Sequence, residues 1–550
     1  MISTYKHPAI ARDGMVVAAQ PLAAAAGIEM LGRGGNAVDA AVATLAALSV
    51  VEPFMSSIFG AGFMLIRLPS GAAIALDNYA VAPRAARANM YEALPPAGGL
   101  YNTVASRNDI GHLAVAVPGS LAAYAMAVQR WGRLPWDTVL APAIRLASEG
   151  YPATPYFVDA VRTEADALSR YSDSAKIFLP GGHLVEQGAI IRRQEYAETL
   201  RQLAAEGPDA LYRGELARTV VADMERSGGL ITMEDLAAYR VLERTPIRGS
   251  YRGYEIVAMP PASSGGIALV QMLNLLEGFD VREEGFGSAS SVHLLAEVLK
   301  IAFTDRRAYL GDPAAAGNPP IWLTDKRYAA MRRPEIETDR AGAPSPGRAD
   351  ALEGNCTTHV SAADAEGYVV STTQTLNHLF GSRVTVPGTG MLVNNCMRLF
   401  DPRPGFPNSV GQGKRMLSSM TPAMVFKDGK PFLAVGAPGG TRIIAAVLQV
   451  IVNVIDHRMS LQEAVEAPRV HTGTENEGLL MESGFGDEMR SALVSMGHGV
   501  QLVDVVGGGM QAVQFRDGQL EGSSCWRSDG VAIGLSGGRT SLQPGKTLIY

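Results

Sequence analysis

Cysteine is nearly missing from this chain: Cys356, Cys396 and Cys525 are the three among 550 residues. That number excludes a disulfide framework and a four-thiolate zinc site. Histidine is scarce too, nine in all with none at ligand spacing to another, so neither a metal nor another cofactor is expected. A basic excess is lacking as well. Lys and Arg number 48 against 54 Asp and Glu, a net charge of −6 that offers a nucleic-acid backbone nothing to hold. Long apolar runs are absent. Residues 40–51, between Asp39 and Glu52, form the longest one near the N-terminus and are too short to cross a bilayer. The first thirteen residues are polar, carry Lys6 and Arg12, and do not resemble a secretory signal, so a cytoplasmic protein without a membrane partner is expected. What is present is 47% hydrophobic and 19% charged, the composition of a folded protein with a large core.

The first half reads mostly as helices, over 22–31, 36–51, 120–131, 136–149, 196–206, 214–227 and 292–310. Asn36 serves as a cap after the stop at Gly32-Arg33-Gly34-Gly35, and Thr232 with Asp235 suggests a capping box. Residues 60–66 read as a buried strand. Residues 331–355 are polar and weakly periodic, the best linker candidate. Strands dominate after it: a hairpin of 357–363 with 368–375, a second of 423–426 with 431–437, then 511–516 and 531–535. An apolar helix is expected over 441–455.

Several motifs imitate chemistry. Gly32-x-Gly34-x-x-Ala37 has the spacing of a dinucleotide fingerprint but follows a helix rather than a strand. Gly507-Gly508-Gly509 has no following Lys-Ser/Thr and reads as a flexible turn, and Cys356 and Cys396 read as small buried residues. Three other pieces have more content. Alternation puts Thr357, His359 and Ser361 on one strand face; folding about Asp364 and Gly367 sets Thr357 opposite Gln374, so a one-residue bulge brings it beside Thr375. In Pro438-Gly439-Gly440-Thr441-Arg442, two glycines expose backbone N–H groups at a helix start, a suitable place for an oxyanion. Lys414-Arg415-Met416-Leu417-Ser418-Ser419 sets two hydroxyls ahead of the second hairpin. Each piece alone has a plainer reading, as a sheet contact, a tight turn or a cap.

Together, in this order, the pieces resemble the γ-glutamyltransferase family of N-terminal-nucleophile hydrolases. The resemblance runs from Gly34-Gly35-Asn36-Ala37-Val38-Asp39 through Met259-Pro260-Pro261-Ala262-Ser263-Ser264-Gly265-Gly266 and Tyr309-Leu310-Gly311-Asp312-Pro313 to Thr357-Thr358-His359, Thr375-Leu376-Asn377 and Ala467-Pro468-Arg469. It implies an α+β fold, a four-layer αββα sandwich, and a proenzyme that cuts itself between Cys356 and Thr357. A large subunit, 1–356, and a small one, 357–550, would form a heterodimer, with a dimer of heterodimers as a further level of assembly. In the resemblance Thr357 is the nucleophile, Thr375 orients it, and Gly439 and Gly440 hold the oxyanion. Asn377, Ser418 and Ser419 match substrate-lining positions.

Two departures bear on substrate. The family's Asp-Phe-Arg-Glu strand end, whose Arg grips the substrate α-carboxylate, is here Asp77-Asn78-Tyr79-Ala80, so Tyr79 stands in the Arg position. The Asp that holds the α-ammonium is replaced by Leu399, in Asn394-Asn395-Cys396-Met397-Arg398-Leu399. Arg398, Arg383 and Arg84 read as solvated charges that offer only a remote alternative anion contact, and His378 is placed to face the pocket. The brief segment 401–413 resembles the lidless branch, which includes γ-glutamyltransferase-like proteins and oxamate amidohydrolase. The expected function is amide hydrolysis or acyl transfer on a small carboxylate-bearing amide such as oxamate, with a cephalosporin- or glutaryl-type side chain also suited. The rivals are a glutathione hydrolase and an uncut, non-catalytic scaffold.

Overall fold

Strands Gly14–Ala18 and Ala61–Arg67 are apolar at almost every position, which demands burial on both faces. Met15, Val17, Phe63 and Leu65 join a core shared with a second sheet, whereas Val16, Ala18, Met64 and Ile66 join one shared with helices. The computed structural model describes residues 2–95, 101–316, 320–344, 356–473, 478–536 and 539–540. Of the expected linker, 345–355 lies outside the described residues, and its start is occupied by helix Lys326–Arg332 and the 3₁₀ turn Arg333–Glu335.

Seven strands make the first sheet, in the order Val531–Leu535, Gly14–Ala18, Cys356–Asp364, Val369–Asn377, Ala61–Arg67, Ala73–Asn78 and Leu242–Arg244. Eight make the second: Arg539–Thr540, Ala9–Ala11, Gln519–Ser524, Gln511–Arg516, Lys430–Gly436, Ala423–Lys427, Tyr254–Ala258 and Ile247–Tyr251. Helices Pro21–Gly32 and Ala37–Val51 cover the outer face of the first. Helices Gly265–Leu276, Ala289–Tyr309 and Arg442–Ile455 cover the second, which completes the expected αββα layering. Among the described residues, no helix is long and apolar enough to cross a membrane.

Helix Ala37–Val51 is pinned at both ends to strand Cys356–Asp364. At its start Asn36 and Asp39 form a capping box, and the Ala37 N–H donates to Asp364 Oδ2 at 2.8 Å. Just past its end, the Thr358 hydroxyl donates to Glu52 Oε2 at 2.7 Å. Fifteen helical residues rise about 22 Å and the strand from Thr358 to Asp364 about 20 Å, so the two lengths match.

The hairpin pairs Thr358 with Gln374 and Ala363 with Val369, one residue off the expected register, with the expected irregularity between Cys356 and Thr358. The offset comes from a three-residue loop, Ala365-Glu366-Gly367, in which Gly367 takes φ 97° and Asp364 Oδ1 accepts from the N–H groups of Glu366, Gly367 and Tyr368. Strands Ile247–Tyr251 and Tyr254–Ala258 occur in the half read as helical; their turn, Arg252-Gly253, has both φ values positive, at 50° and 82°.

Where the sheets face each other, His359 sits against Gly436. A Cβ on that glycine would lie 2.2 Å from His359 Cε1, and the ring is bracketed by Thr373 Oγ1 at 2.8 Å and Ser361 Oγ at 3.1 Å. Burial pushes this imidazole down to about 3, so it is a neutral spacer between sheets. Gly436→Ala should therefore cost about 1–3 kcal/mol of stability, read from unfolding midpoints. A second prediction concerns Glu52. Burial, aided by the charge of Asp529 and opposed by the Thr358 bond, raises its carboxyl from 4.5 to about 8. A carboxyl raised on folding stabilises fully below its unfolded value and loses that contribution as pH climbs through the folded one. Relative to Glu52→Gln, which keeps an acceptor for Thr358, the native protein should lose stability from pH 4.5 to about 8 and diverge no further above. Thermal midpoints across that range measure it; a constant difference would refute the protonated state.

Candidate active site

One step past the Thr358–Gln374 pair, next to the strand irregularity, Thr357 lies opposite Thr375 and its hydroxyl donates to Thr375 Oγ1 at 3.3 Å. The same oxygen accepts from the Asn377 N–H at 2.8 Å. Thr357 and Thr375 are 5% and 2% exposed, so the pair meets at the bottom of a pocket rather than on a surface. The Cys356 side chain, expected to be small and buried, lies outside the described residues; its backbone begins the strand.

Eight of the residues singled out from sequence line this pocket: Tyr79, Thr357, Thr375, Asn377, Leu399, Ser418, Ser419 and Gly440. Met420 and Ile443 complete it. Gly439 stands one residue behind. It and Gly440 take φ values of 133° and 58°, a pair of conformations that favours glycine and turns the chain from strand Lys430–Gly436 into helix Arg442–Ile455. A Cβ on Gly439 would lie 2.8 Å from Gly507 Cα, and Gly508 N–H donates to Pro438 O at 2.8 Å. The triple glycine at 507–509, read as a flexible turn, is thus a brace for the Gly439 loop.

Asn377 has φ 87° and donates through Nδ2 to the Asn395 backbone and side-chain oxygens, both at 3.2 Å. Asn395 in turn donates to Asp109. Burial alone would raise the Asp109 carboxyl, but His378 and Arg383 override it and hold it well below the usual carboxylate range. Two sequence readings are corrected here. Arg383 is not a solvated charge: it is 4% exposed and paired with Asp109 and Glu164, each at 2.9 Å. His378 turns its Nδ1 to Asp109 at 2.8 Å instead of lining the pocket. Arg398 donates to Asn102 at 2.6 Å and Arg84 is exposed at its guanidinium, so neither meets the pocket.

The walls are apolar where the charge clamps were missed. Tyr79 stacks on Phe63 with ring centres 4.9 Å apart and planes 8° from parallel, and Leu399 is buried. The positive charge comes from elsewhere. Arg306, in helix Ala289–Tyr309, is buried and donates to Ser419 Oγ at 2.9 Å and to Ser264 Oγ at 2.7 Å. The Ser264 hydroxyl holds the Ser418 carbonyl at 2.7 Å. Burial, then Arg442, Arg307 and Arg306, pushes the nearby His471 imidazole down to about 3. Sequence reasoning missed Arg306; its signal is a charged residue on the core face of a long amphipathic helix.

Comparison with known proteins gives the constellation its context. A family model described as gamma-glutamyltranspeptidase matches residues 23–535. The chain is 49% identical to the acylase ACY 1 proenzyme of Pseudomonas sp. strain SE83 over 97% of this chain and 95% of that one. It is 40% identical to the glutathione hydrolase proenzyme of Escherichia coli K12 over 95% and 92%. Among solved structures, cephalosporin acylase from Bacillus halodurans superposes with a TM-score of 0.89 at 32% identity, covering 98% of both chains. With its pocket at the hairpin of the αββα sandwich and relatives aligned nearly end to end, this enzyme belongs to the gamma-glutamyltranspeptidase family.

Proposed function

We propose that the protein is a self-processing acylase that hydrolyses monoamides of dicarboxylic acids, with Thr357 as nucleophile. The observation that carries this reading is the Thr357–Thr375 contact at 3.3 Å in a pocket walled by Tyr79 and Leu399. In maturation the Thr357 hydroxyl attacks the Cys356 carbonyl carbon, the C–N bond breaks as an ester forms, and water then cleaves that ester. The products are a large chain ending in the Cys356 carboxylate and a small one beginning with a free Thr357 amine. That amine, with a pKa of about 7.7–8.0, is created by the cut and takes the hydroxyl proton during turnover. The amide carbonyl is attacked, Gly439 and Gly440 face the developing oxyanion, and the leaving amine departs with the proton. Water releases the acid. Thr375 orients the nucleophile, while Asn377, Ser418 and Ser419 shape the acyl site.

The acyl group follows from charge. A γ-glutamyl head needs countercharges for both its carboxylate and its ammonium, and Tyr79 and Leu399 carry neither. Charge-assisted contacts contribute about 1.5–3 kcal/mol each, so their loss disfavours a zwitterion by orders of magnitude. Arg306 behind Ser419 favours an anionic tail without an ammonium. Oxamate and glutaryl amides both satisfy that description. The 49% identity to an acylase and the likeness to cephalosporin acylase favour the glutaryl end of the class and a bulky leaving amine. The second reading, glutathione hydrolysis, draws on the 40% identity to the Escherichia coli enzyme.

Two experiments test this. Purified protein should run as two fragments on a denaturing gel, the smaller beginning at Thr357; Thr357→Ala should remain one chain without turnover, and Thr375→Ala should fold but process slowly. Normal processing in Thr375→Ala removes its orienting role. On a panel of glutaryl, oxamyl and γ-glutamyl amides, kcat/KM should be lowest for γ-glutamyl. Joint replacement Tyr79→Arg and Leu399→Asp should move that ratio toward γ-glutamyl by roughly tenfold or more. Preferred γ-glutamyl turnover by the native protein defeats the substrate assignment.

A further inference from the structure

Helix Ala289–Tyr309 carries His293 and Glu297 four residues apart, and so on one face. His498 lies 205 residues beyond His293, at the turn after helix Asp487–Ser495, where its N–H donates to Leu493 O at 3.0 Å. The three side chains are buried, and one ligand atom from each lies within 4.8 Å of the others. His293 Nε2 is 2.7 Å from Glu337 O. A carbonyl only accepts, so Nε2 donates to it, and His293 Nδ1 faces His498 Nε2, 2.8 Å away. A carbonyl on the far nitrogen is the outer-sphere contact that orients a metal-bound histidine.

We infer that His293 Nδ1, the Glu297 carboxylate and His498 Nε2 form a zinc site, with water at the fourth position. Two imidazoles and a carboxylate match the donor preferences of that ion. The two histidines need move little. Bonds of about 2.0–2.1 Å in a tetrahedron set ligand nitrogens about 3.3 Å apart, so the pair opens by roughly half an ångström while the His498 proton moves from Nε2 to Nδ1. Glu297 is held by Gly342 N–H at 3.0 Å and by Lys300 Nζ at 2.8 Å. The Lys300 ammonium also donates to Gly342 O at 3.0 Å and can keep that bond when it releases the carboxylate. Bound zinc would thus fasten the 337–342 segment, which leads toward the proposed cut, to His498 on the far side of it. The site itself does not depend on cleavage.

Protein stripped with EDTA and titrated with Zn²⁺ should take up one ion per chain, whether matured or held uncut by Thr357→Ala. Co²⁺ in its place should give the intense visible absorption of a four-coordinate centre. His293→Ala and His498→Ala should each weaken zinc uptake by roughly tenfold or more. Lys300→Met removes the competing ammonium without touching a ligand, and should tighten uptake severalfold. Native protein that binds zinc no better than His498→Ala, or a Lys300→Met variant no tighter than native, overturns the inference and leaves a histidine pair that only anchors 337–342.

Discussion

The register of one hairpin decides where the proposed nucleophile sits. One step past the Thr358–Gln374 pair it sets Thr357 opposite Thr375, whose hydroxyls meet at 3.3 Å, and the ladder slips only beyond them, where Cys356 faces Asn377. A register is free to slip unless the strand is fixed. Here it is fixed from behind. Asp364 ties the far end of the strand to the start of helix Ala37–Val51, and Glu52, just beyond that helix, takes the Thr358 hydroxyl. Because helix and strand have nearly equal lengths between those points, neither end can shift without breaking a buried polar contact.

The pocket separates two roles that charged residues often combine. Asp77 is wholly buried between Arg244 at 2.7 Å and Arg415 at 3.3 Å, so the end of strand Ala73–Asn78 is anchored two residues before Tyr79. The anchoring is kept while the recognition position is apolar. On the other wall, Asn395 and Asp109 hold the backbone around Asn377 although Leu399, four residues beyond Asn395, offers no charge. In the proposed acylase, substrate can be exchanged without loosening the frame, because the groups that hold it are not the ones assigned to the acyl tail.

Much of this was legible in local chemistry. The helices Ser120–Trp131 and Trp136–Glu149 fall where apolar spacing and punctuation put them, and the Asn36 cap and the Thr232 capping box form as their residue types suggest. The pocket was legible too, since Thr357, Thr375, Asn377, Ser418, Ser419 and Gly440 converge. What escaped depends on conformation or distance. Gly367 closes a three-residue loop that shifts the register by one, and Arg252-Gly253 makes a hairpin in a region that composition marks as helical. Arg306, and the meeting of His293 with His498, require the tertiary fold, because no short-range pattern ties a helical side chain to a partner far along the chain.

The inner faces of the central strands are unusually rich in hydroxyls for a space between two sheets. Ser361 donates to Gln511 O and Ser371 to Val435 O, both at 3.2 Å, while on the opposite face Thr372 reaches Phe63 O at 3.1 Å and accepts from Gln374 at 3.0 Å. Apolar residues of similar volume would spare the desolvation of every one of these groups. What the hydroxyls add is direction: a dispersion contact tolerates sliding, whereas a buried hydrogen bond left unmade costs about 1–3 kcal/mol. In the proposed mechanism, displacing the Thr357 nucleophile by about 1 Å would lower the rate steeply. The polar seam around Thr357 is therefore best understood as the means by which two sheets and a helix hold one side chain still.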